Sequence, residues 1–579
     1  MYRADRPGLL LATVLTLFSV TSQAAIDPVI DAQDVVSAST PGATTLGRSK
    51  FDAVQPAVTT DTLGEHALVV WSADDAGTVI DDKDTADVTD DTHLVNDEFE
   101  IFGNIVDIGT QANVTGQFRI SFMGSDDETS EADRQLHSAS NPAVAWNPVT
   151  EEFLVVWQGD DSDTAPLADD EYEIFGQRID SDGERVGKRF RISAMGAEAE
   201  GSAAERRRFG AFTPAVAADP VTGDYLVVWQ GDDNVTVAAS GDPVVDDEFE
   251  IYGRVIDADG DPADAQFRVS TVGDDAETLA SERVRYGAAA PAIVYNATAS
   301  NFVVVWEADD PLFGLADGEF EIFARAVASD GSMPDAAKRV SEMGPDGDAA
   351  FDAHAPALAV NADTGTQLVT WSGDTSADEL VEGEAEIHGR LLDSGLVPAA
   401  PSFRISVMGP ESETDSAERG KFQALHPGVE WSPKEQEFLV VWHGDTLTSR
   451  LVDDENEIHG RFVQADGSMS GSRFRISKQG DNKEDSAAER VKFSAEDAAL
   501  TWGSGAFYVV WSADADTTGN GVNGEFRVEA IRVASTYGKL GITLTGLDEG
   551  MVVAPAPVNL RIEVTNSGEE VVEDAVLAL

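Results

Sequence analysis

An all-β ring of seven blades is the fold class this sequence predicts, and three features predict it. A short apolar run ending in tryptophan recurs seven times, at Trp71, Trp157, Trp229, Trp306, Trp371, Trp442 and Trp511. Each recurrence sits in a unit of short segments rich in β-branched or aromatic residues, separated by turn residues. The last unit lacks its fourth segment, and a segment of the missing kind stands near the other end of the chain. Together these predict a seven-bladed β-propeller of four-stranded antiparallel blades over residues 26–535, closed by an N-terminal strand.

The second repeat shows the complete unit. Its first strand is Pro142-Ala143-Val144-Ala145-Trp146 and its second is Phe153-Leu154-Val155-Val156-Trp157. The third is Glu171-Tyr172-Glu173-Ile174-Phe175-Gly176, and the fourth is Phe190-Arg191-Ile192-Ser193. The second strand is continuously apolar rather than alternating, so both its faces must be covered. A blade between two neighbouring blades provides that cover. The third and fourth strands are joined by Asp180-Ser181-Asp182-Gly183, with Asp257-Ala258-Asp259-Gly260 in the next repeat. Asp-Gly is a strong tight-turn signal. Glu173 and Arg191, Glu250 and Arg268, and Glu321 and Arg339 stand at one fixed distance across this turn. That symmetry predicts cross-strand partners with a structural role.

The seventh repeat has Arg527 where the others have the glutamate, and no Phe-Arg-Ile-Ser segment follows it. Gln33-Asp34-Val35-Val36-Ser37 precedes the first repeat at the distance at which a fourth strand precedes the next blade. It is therefore assigned as the outer strand of blade seven. Closing the ring in this way removes free sheet edges.

Composition narrows the function. The 579 residues carry 106 acidic and 39 basic side chains, a formal net charge of −67. Such a field repels nucleic acid and anionic membrane, which excludes both as partners. There is no cysteine, which excludes disulfides, zinc–thiolate sites and thiol catalysis. Residues 1–25 read as a signal peptide: Arg3 and Arg6, the apolar stretch Leu9 to Val20, then Ser22-Gln23-Ala24. No later segment is apolar enough to span a bilayer. The expected location is secreted or at the cell surface.

Strand order places the loops that follow the second and fourth strands on one face, and the short turns on the other. The loops between second and third strands are acidic. They hold Asp160, Asp161, Asp169, Asp170 and Glu171 in blade two, and Asp232, Asp233, Asp246, Asp247 and Glu248 in blade three. In blade seven, Asp514, Asp516 and Glu525 fall at the spacing of a calcium loop, with a threonine replacing one acid. Calcium takes six to eight oxygen ligands, so these thirteen residues are the candidate metal ligands and calcium the candidate cofactor. The bland alternative is a solvated acidic surface. A second motif, Ser202-Ala203-Ala204-Glu205-Arg206 and its counterparts, precedes several blades and reads as one capped helical turn.

No catalytic signature stands out. His388 and His459 take the aromatic position of the third strand, and His443 follows Trp442. His443 and His459 are candidate neighbours without a third ligand. There is no Gly-x-Ser-x-Gly elbow, phosphate loop or His-Glu-x-x-His site. Carboxylates are so numerous that no pair stands out as a glycosidase dyad.

Residues 536–579 leave the repeat pattern. Lys539 to Gly546, Val558 to Val564 and Val576 to Leu579 read as strands, and Thr565-Asn566-Ser567-Gly568 as a turn. Ile562-Glu563-Val564-Thr565-Asn566-Ser567-Gly568 resembles the immunoglobulin-like repeats of bacterial surface proteins and implies a partial β-sandwich. The seven repeats resemble uncharacterised repeats of large bacterial exoproteins, which implies export and a surface role and brings no catalytic residues. Integrin-type repeats are a more distant comparison.

The function expected from these features is an exported, non-enzymatic binding or adhesion module. It would present an acidic, calcium-stabilised loop face to an extracellular protein or carbohydrate ligand. Two alternatives stay open: a propeller enzyme acting on an extracellular polysaccharide or similar substrate, and a structural surface-layer component. An enzyme should show a central pocket lined by residues unique to single blades.

Overall fold

The computed structural model describes residues 52–74, 98–124, 137–161, 170–196, 208–233, 247–273, 284–375, 383–409, 422–446, 455–479, 494–514 and 526–535. It also describes the short stretches 29–30, 34–36, 79–81, 92–93, 167, 380, 540–545 and 561–566. The expected signal peptide, residues 1–25, and the Ser202–Arg206 motif lie outside them.

Seven antiparallel blades follow one another around an axis, each in the order first, second, third, fourth strand. Blade two is Ala139–Asn147, Glu152–Gly159, Glu173–Asp180 and Arg185–Arg191. The second strand is buried on both faces because each apolar cluster is shared by two blades. Val156 and Trp229, for example, belong to one cluster joining blades two and three. Val69 and Val510 belong to another, joining blades one and seven. All seven tryptophans of the second strands are buried. Most stack on the aromatic residue opposite on the third strand, as Trp157 does on Phe175 at 6.4 Å between ring centroids.

The ring closes as the sequence predicts. Val29–Ile30 and Asp34–Val35 pair antiparallel with the third strand of blade seven, Phe526–Ala534. The Val36 amide donates to the Val528 carbonyl at 2.9 Å, and the Val36 carbonyl accepts from Asn104 Nδ2 of blade one at 3.1 Å. Arg527 pairs with Glu529 on its own strand at 2.5 Å.

The repeated glutamate and arginine are offset by two residues rather than directly opposite: Arg191 faces Phe175, and Glu173 lies further along the strand. The ion pair still forms, at 2.6 Å for Arg339 and Glu321 and 2.5 Å for Arg119 and Glu100. Each buried glutamate also accepts from the serine hydroxyl of the Phe-Arg-Ile-Ser segment and from a backbone N–H two residues later. Glu321, for example, is held by Ser341 and by the Met343 amide at 2.8 Å. Burial pushes the carboxyls of Glu173, Glu250, Glu386 and Glu457 up to about 7 against the opposing pull of these partners. The network fastens the outer strand of blades one to six, which fits a structural role.

In the C-terminal unit, Leu540–Thr545 pairs antiparallel with Arg561–Asn566. Thr565 and Asn566, expected in a turn, end the second of these strands. The expected strand Val576 to Leu579 lies outside the described residues.

Candidate functional site

The first strands surround the axis, and every one of them begins with a bulge. The register slips by an extra residue between Ser140 and Ala143 in blade two, and at the same place in the other six blades. The bulged residues are Gln55, Asn141, Thr213, Ala290, Ala355, His426 and Asp497, each with φ between 46° and 55°. That left-handed conformation is costly for side chains other than glycine, and most of all for a β-branched one such as Thr213. It turns each bulged residue toward the axis. Together with the proline that follows in six blades, these residues line an axial cavity of about 440 Å³. The bulge lies at the loop end of the first strand, so this funnel opens on the face that carries the long acidic loops.

Neighbouring blades are stitched together at the same level. In four blades the residue after the second-strand tryptophan accepts the bulge N–H of the next blade, and the Asn141 amide donates instead to Gln55 Oε1 at 3.0 Å. Gln158 Oε1 accepts from the Thr213 amide at 2.8 Å, and Glu307 Oε2 from the Ala355 amide at 2.7 Å. Ser512 does the same for Gln55 at 3.1 Å, and His443 Nδ1 for Asp497 at 3.5 Å.

This level is where the repeat symmetry breaks. Blades one to three present neutral Gln55, Asn141, Thr213, Ser72, Gln158 and Gln230. Blades four to seven present Ala290, Ala355, His426 and Asp497 at the bulge and Glu307, Ser372, His443 and Ser512 after the tryptophan, and His354 and Glu496 stand one residue before the bulges of blades five and seven. His354 stands between two carboxylates, with Nδ1 3.5 Å from Glu307 Oε1 and Nε2 3.7 Å from Asp352 Oδ2. Burial pulls this imidazole down, but hydrogen bonds to Asp352 and Glu307 and their charges outweigh it and raise the pKa to about 10. His426 Nδ1 lies 3.4 Å from Asp497 Oδ1, and its ring meets that of His443 edge-on at 5.0 Å. The Asp497 bond raises the pKa of His426. Burial, followed by the neighbouring His426 charge, lowers that of His443 to about 4. Glu307, Asp352, His354 and His426 share a second cavity of about 540 Å³ beside the axis.

Sequence reasoning missed this cluster and paired His443 with His459 instead. The two histidines lie on opposite sides of the blade: His459 is opposite Trp442 and stacks on it, whereas His443 is one residue on and meets His426 and the Asp497 amide. The available signal was the residue before each first-strand proline. It varies from blade to blade while its surroundings repeat.

The candidate metal ligands fall at the loop bases, in separate blades. Asp160 Oδ1 accepts from the Ser138 amide at 2.9 Å and its Oδ2 from the Asp170 amide at 3.0 Å. Asp232 repeats this with the Gly210 and Asp247 amides at 3.1 and 3.0 Å. Asp161 binds the Gly124 amide and Arg189, and Asp233 binds the Gly196 amide and Gln266 Nε2. Asp170 and Asp247 turn the chain at φ 65°, and Glu171 and Glu248 are buried beside them. Asp514 is buried at the end of its strand. Asp169, Asp246, Asp516 and Glu525 lie outside the described residues. Asp160 and Asp232 thus hold loop to strand by accepting N–H groups. Asp232→Ala strands two buried amides and should cost about 3 kcal/mol in urea unfolding. The same loss is expected in calcium-containing and calcium-free buffer.

No family model matches the chain. No curated protein matches it either, so the exoprotein-repeat and immunoglobulin-like resemblances gain no support. Among solved structures, the chain is similar to a Hadza microbial sialidase at 11% identity and TM-score 0.38, over 76% of this chain and 73% of that one. It is similar to a Trypanosoma rangeli sialidase bound to the inhibitor DANA at 9% identity and TM-score 0.35, over 68% and 55%. A Bacillus subtilis arabinanase follows at 12% identity and TM-score 0.27, over 56% and 93%. The expectation of a non-enzymatic adhesion module is corrected to this extent: these three solved structures are two sialidases and an arabinanase, not adhesion modules. A likeness this distant leaves chemistry and substrate to be read from the funnel's own residues. No helix among the described residues is long and apolar enough to cross a membrane.

Proposed function

We propose that the chain is a hydrolase of an extracellular polysaccharide or a similar polymer, with its reacting groups in the cavity that adjoins the axial funnel. One observation carries this reading: a quasi-symmetric ring gathers Glu307, Asp352, His354, His426 and Asp497 into a single sector, blades four to seven, around two adjoining cavities. A structural repeat has no need of that asymmetry, whereas acid–base chemistry needs unlike groups held at one place.

The roles follow from charge and exposure. Hydrolysis adds one water across a C–O bond. The Glu307 carboxylate takes a proton from the attacking water, and the protonated imidazole of His354, held on its other side by Asp352, returns one to the leaving oxygen. The amide and hydroxyl side chains of Gln55, Asn141 and Thr213 line the adjoining funnel and suit a polyhydroxylated substrate. The strongly acidic loop face favours a neutral or cationic polymer over an anionic one.

Release of reducing ends from a panel of neutral, cationic and anionic polysaccharides tests this. Glu307→Gln is a suitable variant, because glutamine already fills that position in blades two and three and keeps the bond to the next bulge. The expected loss in kcat/KM is roughly 100-fold to 10000-fold. Absence of release from every polymer, or equal rates for the variant and the parent chain, overturns the proposal.

A further inference from the structure

We infer that His426, His443 and Asp497 form a binding site for a divalent transition-metal ion of the zinc type at the mouth of the funnel. The inference goes beyond the proposed hydrolysis and does not depend on it.

The donors come from three strands of two blades. His426 and Asp497 are the bulged residues that open blades six and seven, and His443 ends the tryptophan strand of blade six. One ligand atom from each lies within 4.8 Å of the other two. The His426 Nδ1 to Asp497 Oδ1 separation is 3.4 Å. Two ligands bonded to one tetrahedral zinc ion at 2.0–2.1 Å stand about 3.3 Å apart. Two imidazoles and one carboxylate suit zinc or a similar ion, whereas calcium and magnesium favour all-oxygen sites. Three protein ligands leave a fourth position, and His426 is exposed to the funnel, so that position opens on the cavity.

The repeat supplies the contrast. At the bulge, the other blades carry Gln55, Asn141, Thr213, Ala290 and Ala355; after the tryptophan, they carry serine, glutamine or Glu307. Stitching the ring therefore requires neither histidine nor an ionised bulge residue. Blade six supplies both histidines, and blade seven places the aspartate against them.

The repeat also supplies variants that keep the fold. His426→Asn restores the residue of blade two, and His443→Gln restores the residue of blades two and three. The probe is Co²⁺, whose visible absorption reports tetrahedral nitrogen and oxygen ligation, added to chelator-stripped full chain. Excess calcium in the buffer occupies the carboxylate surface. One Co²⁺ per chain is expected, with a visible band that Zn²⁺ abolishes. Each variant, checked for native circular dichroism, should bind at least about 100-fold more weakly, since even loss of an outer-shell partner costs tenfold to 100-fold. Absence of a stoichiometric band, or parental affinity in both variants, overturns the inference. The readout is metal binding alone, so it is independent of whether any polymer is cleaved.

Discussion

Removing residues 26–37 should lower the melting temperature and promote association through the exposed edge of blade seven. Val36 is 2% exposed, and burying a valine contributes about 1.5–3 kcal/mol. The paired backbone groups of Val29–Ile30 and Asp34–Val36 add about 1 kcal/mol per hydrogen bond. A total near 5 kcal/mol corresponds to a fall of roughly 5 °C for a ring of this size that unfolds as a unit. The larger consequence is kinetic. The strand Phe526–Ala534 becomes an uncovered edge, and such edges recruit other chains. Light scattering and calorimetry on the truncated chain measure both effects, and a synthetic peptide of residues 26–37 should reverse them. A truncated chain that melts with the parent and stays monomeric contradicts the closure.

Replacing His459 with phenylalanine should stabilise the protein, by an amount that grows as the pH falls. His459 is fully buried against Trp442, in the position that Phe102, Phe175 and Phe323 fill in other blades. Among the described residues, neither ring nitrogen has a hydrogen-bond partner of sound geometry. At pH 7 the imidazole is neutral in both folded and unfolded chains, so the gain is the cost of burying those nitrogens, about 1–2 kcal/mol. Burial, with the charges of Arg473 and Arg475, lowers the folded-state pKa to about 3. A base whose folded pKa is depressed binds protons only when unfolded, so stability is intact above about 6.5 and is lost as pH falls from there toward 3. At pH 4.5 the parent chain has lost about 2.7 kcal/mol that the variant keeps. Urea unfolding at pH 7 and pH 4.5 reads the difference. A constant difference, or a variant less stable than its parent, contradicts the assignment.

Much of the architecture was legible in the sequence because it rests on local patterns. Seven apolar runs ending in tryptophan require cover on both faces, and a ring supplies it. The unpaired third strand of blade seven and the spare segment near Val35 could be matched by spacing alone. The funnel was harder to read. His354 is 47 residues from Glu307, and His426 is 17 from His443 and 71 from Asp497, and only ring closure brings the seven bulges to one axis. A residue before a proline at the start of a strand also gives no sign that it bulges inward.

The acidic loops show a different limit. Asp160 and Asp232 occur in Gly-Asp-Asp runs that suit a cation by composition, yet in the fold each carboxylate accepts two backbone amides. The composition of these runs gives no sign of that loop-fastening role, which depends on the donors that the fold brings to each carboxylate. Conversely, the imidazole–carboxylate cluster carries no sequence motif and becomes visible only as a departure from the repeat.

The most direct test compares the two sides of the funnel in one hydrolysis assay on the polymer that the parent chain cleaves fastest. One variant neutralises the ionisable side, Glu307→Gln with His354→Ser; the other trims the neutral side, Asn141→Ala with Thr213→Ala. The first should lose at least about 100-fold in kcat with its melting temperature preserved. The second should change mainly KM. Equal kcat in the first variant and the parent contradicts an acid–base centre in blades four to seven.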